Sequence, residues 1–149
     1  MLYERIDKEI HDAAVNDDRF ALETLRLIKA EFLKYRASKE ALKTPICDAV
    51  EITLMQRMMK QRSDAAELYM RGNRPDLAEK ETAEAEFIGK FLPKEPTEDE
   101  IVDEIHSVIS RLDLEPVKRN MGVIIKGVKE KYPTADGKKL AAVVSGILN

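Results

Sequence analysis

The chain has 149 residues, 36% of them charged and only 5% aromatic, with a formal net charge of −3. That length supports a real hydrophobic core in one domain or two small ones, and the weak acidity excludes a globally basic nucleic-acid binder, leaving only a local patch. The single cysteine, Cys47, excludes an intrachain disulfide and a zinc cluster.

No apolar run approaches the roughly 20 residues needed to span a bilayer as a helix. The N-terminus, MLYERIDKEIHDAAVNDD, alternates charges with apolar residues and has no apolar core of a secretory signal. A cytoplasmic protein is therefore expected.

Leu2, Ile6, Ile10, Ala13 and Ala14 recur at helical spacing and predict a first helix over 2–16. Asn16-Asp17-Asp18 ends it and starts the next. The second helix carries Leu22, Leu25, Ile28, Phe32 and Leu33 and runs to about Ser38. Thr44 is a candidate cap and Pro45 a candidate first residue for a long third helix to Met70, with Ile46, Val50, Leu54, Met58, Ala65 and Leu68 as its apolar stripe. Gly72 offers a left-handed stop, and a fourth helix covers 76–92.

Pro93 and Pro96 mark the predicted domain boundary. Thr97 followed three residues later by Glu100 matches a capping box. Ile101, Ile105, Val108, Ile109 and Leu112 form the apolar face of the helix it opens. A further helix is predicted over Pro116–Lys131, and Asp136 should cap the last one, which holds Leu140, Val143, Val144, Ile147 and Leu148. The fold class is all-α: a four-helix N-terminal domain over 1–93 and a three-helix C-terminal domain over 94–149.

Residues 121–140, MGVIIKGVKEKYPTADGKKL, set two glycines five apart among lysines. A nucleotide-cradling loop needs Lys and a hydroxyl directly after its second glycine. Here Val128 and Lys129 follow Gly127, and no buried strand precedes Gly122. The glycines instead predict close helix packing, with Met121, Ile124, Ile125 and Val128 turned inward.

Charge is polarised across this part of the chain. Positions 116–149 hold seven bases, Lys118, Arg119, Lys126, Lys129, Lys131, Lys138 and Lys139, against Glu130 and Asp136, a balance of +5. Positions 93–115 hold eight acids against Lys94 and Arg111, a balance of −6. A charge run is commonly a solvated face; a basic one also binds phosphate backbone without reading bases.

Catalytic candidates are thin. His11 and His106 fall on separate helices, and Cys47 has no histidine near it in sequence. Ser63, Ser107, Ser110 and Ser145 lack a nucleophile-elbow pattern. No Glu-x-x-His motif of a di-iron bundle is present. No catalytic residue, metal ligand or cofactor site is assigned.

Met-Lys-Gln-Arg-Ser-Asp-Ala at 59–65, Gly-Asn-Arg-Pro-Asp-Leu-Ala-Glu-Lys-Glu at 72–81 and Phe-Leu-Pro at 91–93 resemble motifs of the GatB/YqeY family. So do Thr-Leu-Arg-Leu-Ile-Lys-Ala at 24–30, Met121-Gly122, and Ala-Asp-Gly-Lys at 135–138. In place of the Gly-Arg common before Ala-Asp in that family stand Pro133 and Thr134, and Ala141 replaces an asparagine.

The resemblance implies a small all-helical protein. Its C-terminal part would be similar to the tail domain of the B subunit of tRNA-dependent amidotransferases, which helps hold the tRNA body. It thus implies a tRNA-binding accessory module without catalytic machinery of its own. Lys118, Arg119, Lys126, Lys129, Lys138 and Lys139 would contact phosphates, with the N-terminus of the last helix adding positive charge near Gly137.

Two alternatives stand beside it. One is a protein-interaction module using Met55, Met58, Met59 and Met70 of the long helix as an adaptable groove, or as core filler. The other is carbon-nitrogen ligase activity with glutamine as amido-N-donor, implied by family naming alone; the chain shows neither an ATP site nor a glutaminase. Neither a membrane nor DNA is an expected partner.

Overall fold

The computed structural model describes residues 1–148, and among these the secondary structure is helical, with no strand. The all-α expectation holds. The chain divides into two compact units, Met1–Leu92 and a second that begins at Pro93.

The first unit contains α1 (Leu2–Val15), α2 (Arg19–Arg36), the single turn α3 (Glu40–Lys43), α4 (Asp48–Arg71) and α5 (Pro75–Gly89). Leu2 and Ile6 of α1, Leu25, Ile28 and Phe32 of α2, Leu54, Met55 and Met58 of α4 and Ile88 of α5 form its core. Each large apolar side chain buried there contributes about 1.5–3 kcal/mol. The large side chains of this core come from no further along α4 than Met59 and from no earlier in α5 than Phe87, and before Phe87 only Ala78 and Ala85 of α5 are buried apolar residues. Past those points the two helices continue as an antiparallel hairpin, packed on each other.

Three turns close on left-handed Asp or Asn residues: Asp17 after α1 (φ 52°), Asn73 after α4 (φ 56°) and Asp113 after the first helix of the second unit (φ 49°). Short polar side chains tolerate that conformation. The left-handed stop after α4 thus falls on Asn73, and Gly72 keeps a φ of −80°. Asp18 caps α2 by accepting from the Ala21 amide at 3.0 Å.

The start of α4 also differs from expectation. Glu40–Lys43, four strong helix formers, close one turn after Ser38, whose Oγ accepts from the Ala41 amide at 3.4 Å. The Thr44 carbonyl accepts from Tyr35 Oη at 2.6 Å and Thr44 stays extended. Cys47 is the residue before α4, and Pro45 lies outside the helix. At the other end of the unit, α5 stops at Gly89 because the Lys90, Phe91 and Leu92 amides turn to carbonyls three residues back.

The second unit contains α6 (Glu98–Arg111), a 3₁₀ turn (Lys118–Asn120), α7 (Met121–Lys131) and α8 (Gly137–Ile147). Thr97 and Glu100 form the full capping box. Ile101, Ile105 and Val108 of α6 meet Ile124 and Val128 of α7 and Leu140 and Val144 of α8 in its core. The helix expected from Pro116 begins only at Met121. Asn120 Nδ2 donates to the Glu115 carbonyl at 2.9 Å, and the chain between them is taken up by the turn.

Candidate nucleic-acid interface

Helical geometry decides where the lysines of α7 can point. Ile124 and Val128 are fully buried and fix the inward side. Gly122, Lys126 and Lys129 follow one another at steps of four and three, so they share the opposite, exposed stripe. Nothing lies within 4 Å of the position a Cβ would take at Gly122. The stripe is therefore bare backbone at its head and cationic along its length.

The stripe continues onto α8. The Lys129 ammonium lies 3.5 Å from the Cβ position of Gly137, the first residue of that helix, and exposed Lys138 follows it. Neither Lys126, Lys129 nor Lys138 makes an ion pair among the described residues, whereas Arg119, Lys131 and Arg111 do. Glu130 is exposed on α7 four residues after Lys126 without pairing to it.

Three of the groups expected at the site stand in other contacts in the structure. Arg119 is held by Glu115, Nη2 to Oε2 at 2.6 Å, an exposed i, i+4 pair. Lys139 turns away from α7 into an open groove between α6 and α8, where it joins Pro96, Glu98, Ile101 and Val143. The N-terminus of α8 is already occupied by its own cap. Asp136 accepts from the Lys138 amide at 2.8 Å and the Lys139 amide at 3.2 Å, and these bonds hold its carboxyl below the usual range. Lys118 is exposed in the 3₁₀ turn ahead of α7.

The two glycines part company. A Cβ at Gly127 would lie 2.9 Å from Val108 Cγ1, so this glycine does allow α7 to approach α6. Gly122 has no such neighbour, and packing does not explain it.

Lys131 was counted with the basic segment but serves the fold. Its Nζ donates to Glu104 Oε2 at 2.7 Å, and Arg111 Nη1 stands 3.7 Å from the other oxygen. Glu104 is 3% exposed. The hydrogen bond to Glu104 raises the pKa of Lys131, whose side chain stays exposed while its charge is paired with that carboxylate. Sequence spacing gave no sign of this pair, which is 27 residues apart. Thr134, standing where the family pattern has arginine, is buried and donates to the Lys94 carbonyl at 3.3 Å.

The methionines of α4 divide in the same way. Met55 and Met58 are buried in the core and Met59 is packed against it, so the expected methionine groove is mostly core filler. Met70 alone stands out, at 60% exposed. The 59–65 motif also has a structural task. Arg62 Nε donates to Glu84 Oε2 at 3.0 Å, and Arg62 Nη1 donates to the Met58 carbonyl at 3.2 Å, tying α4 to α5.

The chain is 30% identical over 148 residues to altered inheritance of mitochondria protein 41, mitochondrial, of Pyrenophora tritici-repentis, covering 94% of this chain and 79% of that one. It is 26% identical over 94 residues to the protein of the same name in Clavispora lusitaniae, covering 62% of this chain and 55% of that one. Neither name carries a catalytic activity. Both are named as mitochondrial, and this overturns the cytoplasmic expectation. The test behind that expectation, an apolar N-terminal core, speaks to secretion and carries no information about organelles. The YqeY-like protein profile matches residues 3–148, and the chain belongs to that family.

Proposed function

We propose that the second unit is a tRNA-binding accessory module that grips phosphate backbone without reading base sequence. The observation that carries this reading is the placement of Lys126 and Lys129 on one exposed stripe, with the Lys129 ammonium meeting the start of α8 beside Lys138. Three ammonium groups without acidic partners, on the side opposite the core, are what a polyanion can neutralise through counterion release. Gly122 leaves the head of the stripe flat, which lets a sugar-phosphate chain lie close to the helix. Arg119 joins only by giving up Glu115, an exposed pair worth little.

Chemistry on the RNA is not part of the proposal: the stripe positions a polyanion and offers it no acid-base pair or nucleophile. The resemblance of the C-terminal segment to the amidotransferase tail domain supports tRNA over other polyanions. An electrophoretic shift titration with unfractionated tRNA across a salt series tests the proposal. Binding that weakens as salt rises supports it. Lack of a shift at low salt, or retention indifferent to salt, rejects it.

A further inference from the structure

The distal hairpin of α4 and α5 carries a second surface, unrelated to the cationic stripe. Two packed helices leave a groove along their outer side, and here Ala66 and Met70 of α4 face Pro75, Ala78 and Ala83 of α5 across it. Ala66, Ala78, Thr82 and Ala83 keep most of the floor small, so another helix can approach closely. The lining also includes Glu67, Glu79 and Glu86, and no basic residue. Glu79 and Glu86 make no ion pair among the described residues, and Glu67 is held only by the exposed i, i+4 partner Arg71 at 2.8 Å. The large core side chains of the first unit do not reach this part of the hairpin, where Ala78 and Ala85 are the buried apolar residues of α5.

We propose that this groove docks a cationic amphipathic helix from a protein partner, completing a local three-helix packing. An apolar floor flanked by carboxylates selects an apolar stripe flanked by Lys or Arg. Glu79 and Glu86 stand two turns apart on one side of α5, about 10.5 Å along its axis. The matching partner carries cations seven residues apart, with Ala or Leu between them at helical spacing. The same carboxylates repel a polyanion, so RNA is the wrong occupant.

The test uses the full chain at near-physiological salt and three synthetic 21-residue peptides. One has an Ala/Leu face flanked by Lys, one replaces each Lys by Glu, and one scrambles the Lys peptide so that no apolar stripe remains. Fluorescence anisotropy gives affinities, and amide chemical shifts give the location. The Lys peptide is expected to bind at least tenfold more tightly than the other two, shifting Ala66, Met70, Ala78 and Ala83.

Two variants keep the result specific, and circular dichroism checks that each is folded. The double variant Glu79→Lys/Glu86→Lys should reverse the preference toward the Glu peptide. Ala83→Arg, which fills the floor, should weaken the Lys peptide at least fivefold. Equal binding of the Lys and scrambled peptides, affinities untouched by these substitutions, shifts confined to other residues, or no binding at all would each overturn the proposal. So would shifts at these four residues on adding tRNA.

Discussion

Gly127 lies directly against Val108: a Cβ on the glycine would stand 2.9 Å from one valine methyl and 3.0 Å from the other. Val108 is fully buried and β-branched, so it has little room to rotate away. Gly127→Ala should destabilise the second unit by about 1–2 kcal/mol, overpacking outweighing the better helix propensity. Gly122→Ala meets open space and should be neutral to stabilising, by up to about 1 kcal/mol. Denaturant melts of the two variants should therefore move in opposite directions. Matching shifts would refute this account of the two glycines.

Glu51 ties α4 to the start of α1. Its carboxylate accepts from the Leu2 amide at 2.9 Å and the Tyr3 amide at 2.6 Å, and the side chain is 3% exposed. Glu51→Ala leaves the buried Leu2 amide without its partner and should cost about 1–3 kcal/mol in a denaturant melt. Burial raises the pKa of Glu51 above its ordinary 4.5, with the Leu2 amide opposing the shift. The native state then holds this proton to higher pH than the unfolded chain does. Its contribution is complete below about pH 4.5 and is lost as pH rises through the raised native value. The stability of the natural chain relative to Glu51→Gln should accordingly grow as pH is lowered from 7 toward 5; a flat or falling difference would contradict it.

Lys131 and Lys126 are both exposed lysines of α7, yet they should respond differently to substitution. Lys131→Ala strands the buried Glu104 with only Arg111 beside it, at 3.7 Å. The melting temperature should fall, while tRNA affinity changes by less than about twofold, since that charge is already engaged. Lys126→Ala should leave the melting temperature almost unmoved and weaken tRNA binding. A large loss of affinity from Lys131→Ala would mean that the charge partition drawn from these pairs is wrong.

Much of the fold was legible in the sequence because the signals were local. The Thr97–Glu100 box, the Asp136 cap and the apolar face of α6 from Ile101 to Ile109 each lie within a few turns of chain and formed where expected, whereas Leu112 falls past the end of α6 and is 48% exposed. The start of α4 was misread because Tyr35 holds the Thr44 carbonyl from another element. Leu68 matched the stripe of α4 but is 64% exposed. Periodicity marks a side of the helix without showing where the covering helices end.

The site was less legible than the fold. Composition found the basic segment, and the burial of Ile124 and Val128 put Lys126 and Lys129 on one exposed stripe. Seeing that the exposed Arg119 and Lys131 are already paired with carboxylates required their partners' positions. Lys139 belonged to the other side of α8 because Val143 and Ile147, at its helical spacing, line the α6 groove.

The salt dependence of tRNA binding, compared between the natural chain and Lys126→Glu/Lys129→Glu, tests the central claim most directly. Three phosphate contacts predict a slope of log affinity on log salt of about −2 to −3. The double variant, folded by circular dichroism, should bind at least tenfold more weakly at low salt and show a slope shallower by about 1.5. An unchanged slope, or tRNA affinity indifferent to both reversals, would contradict the assignment of this stripe.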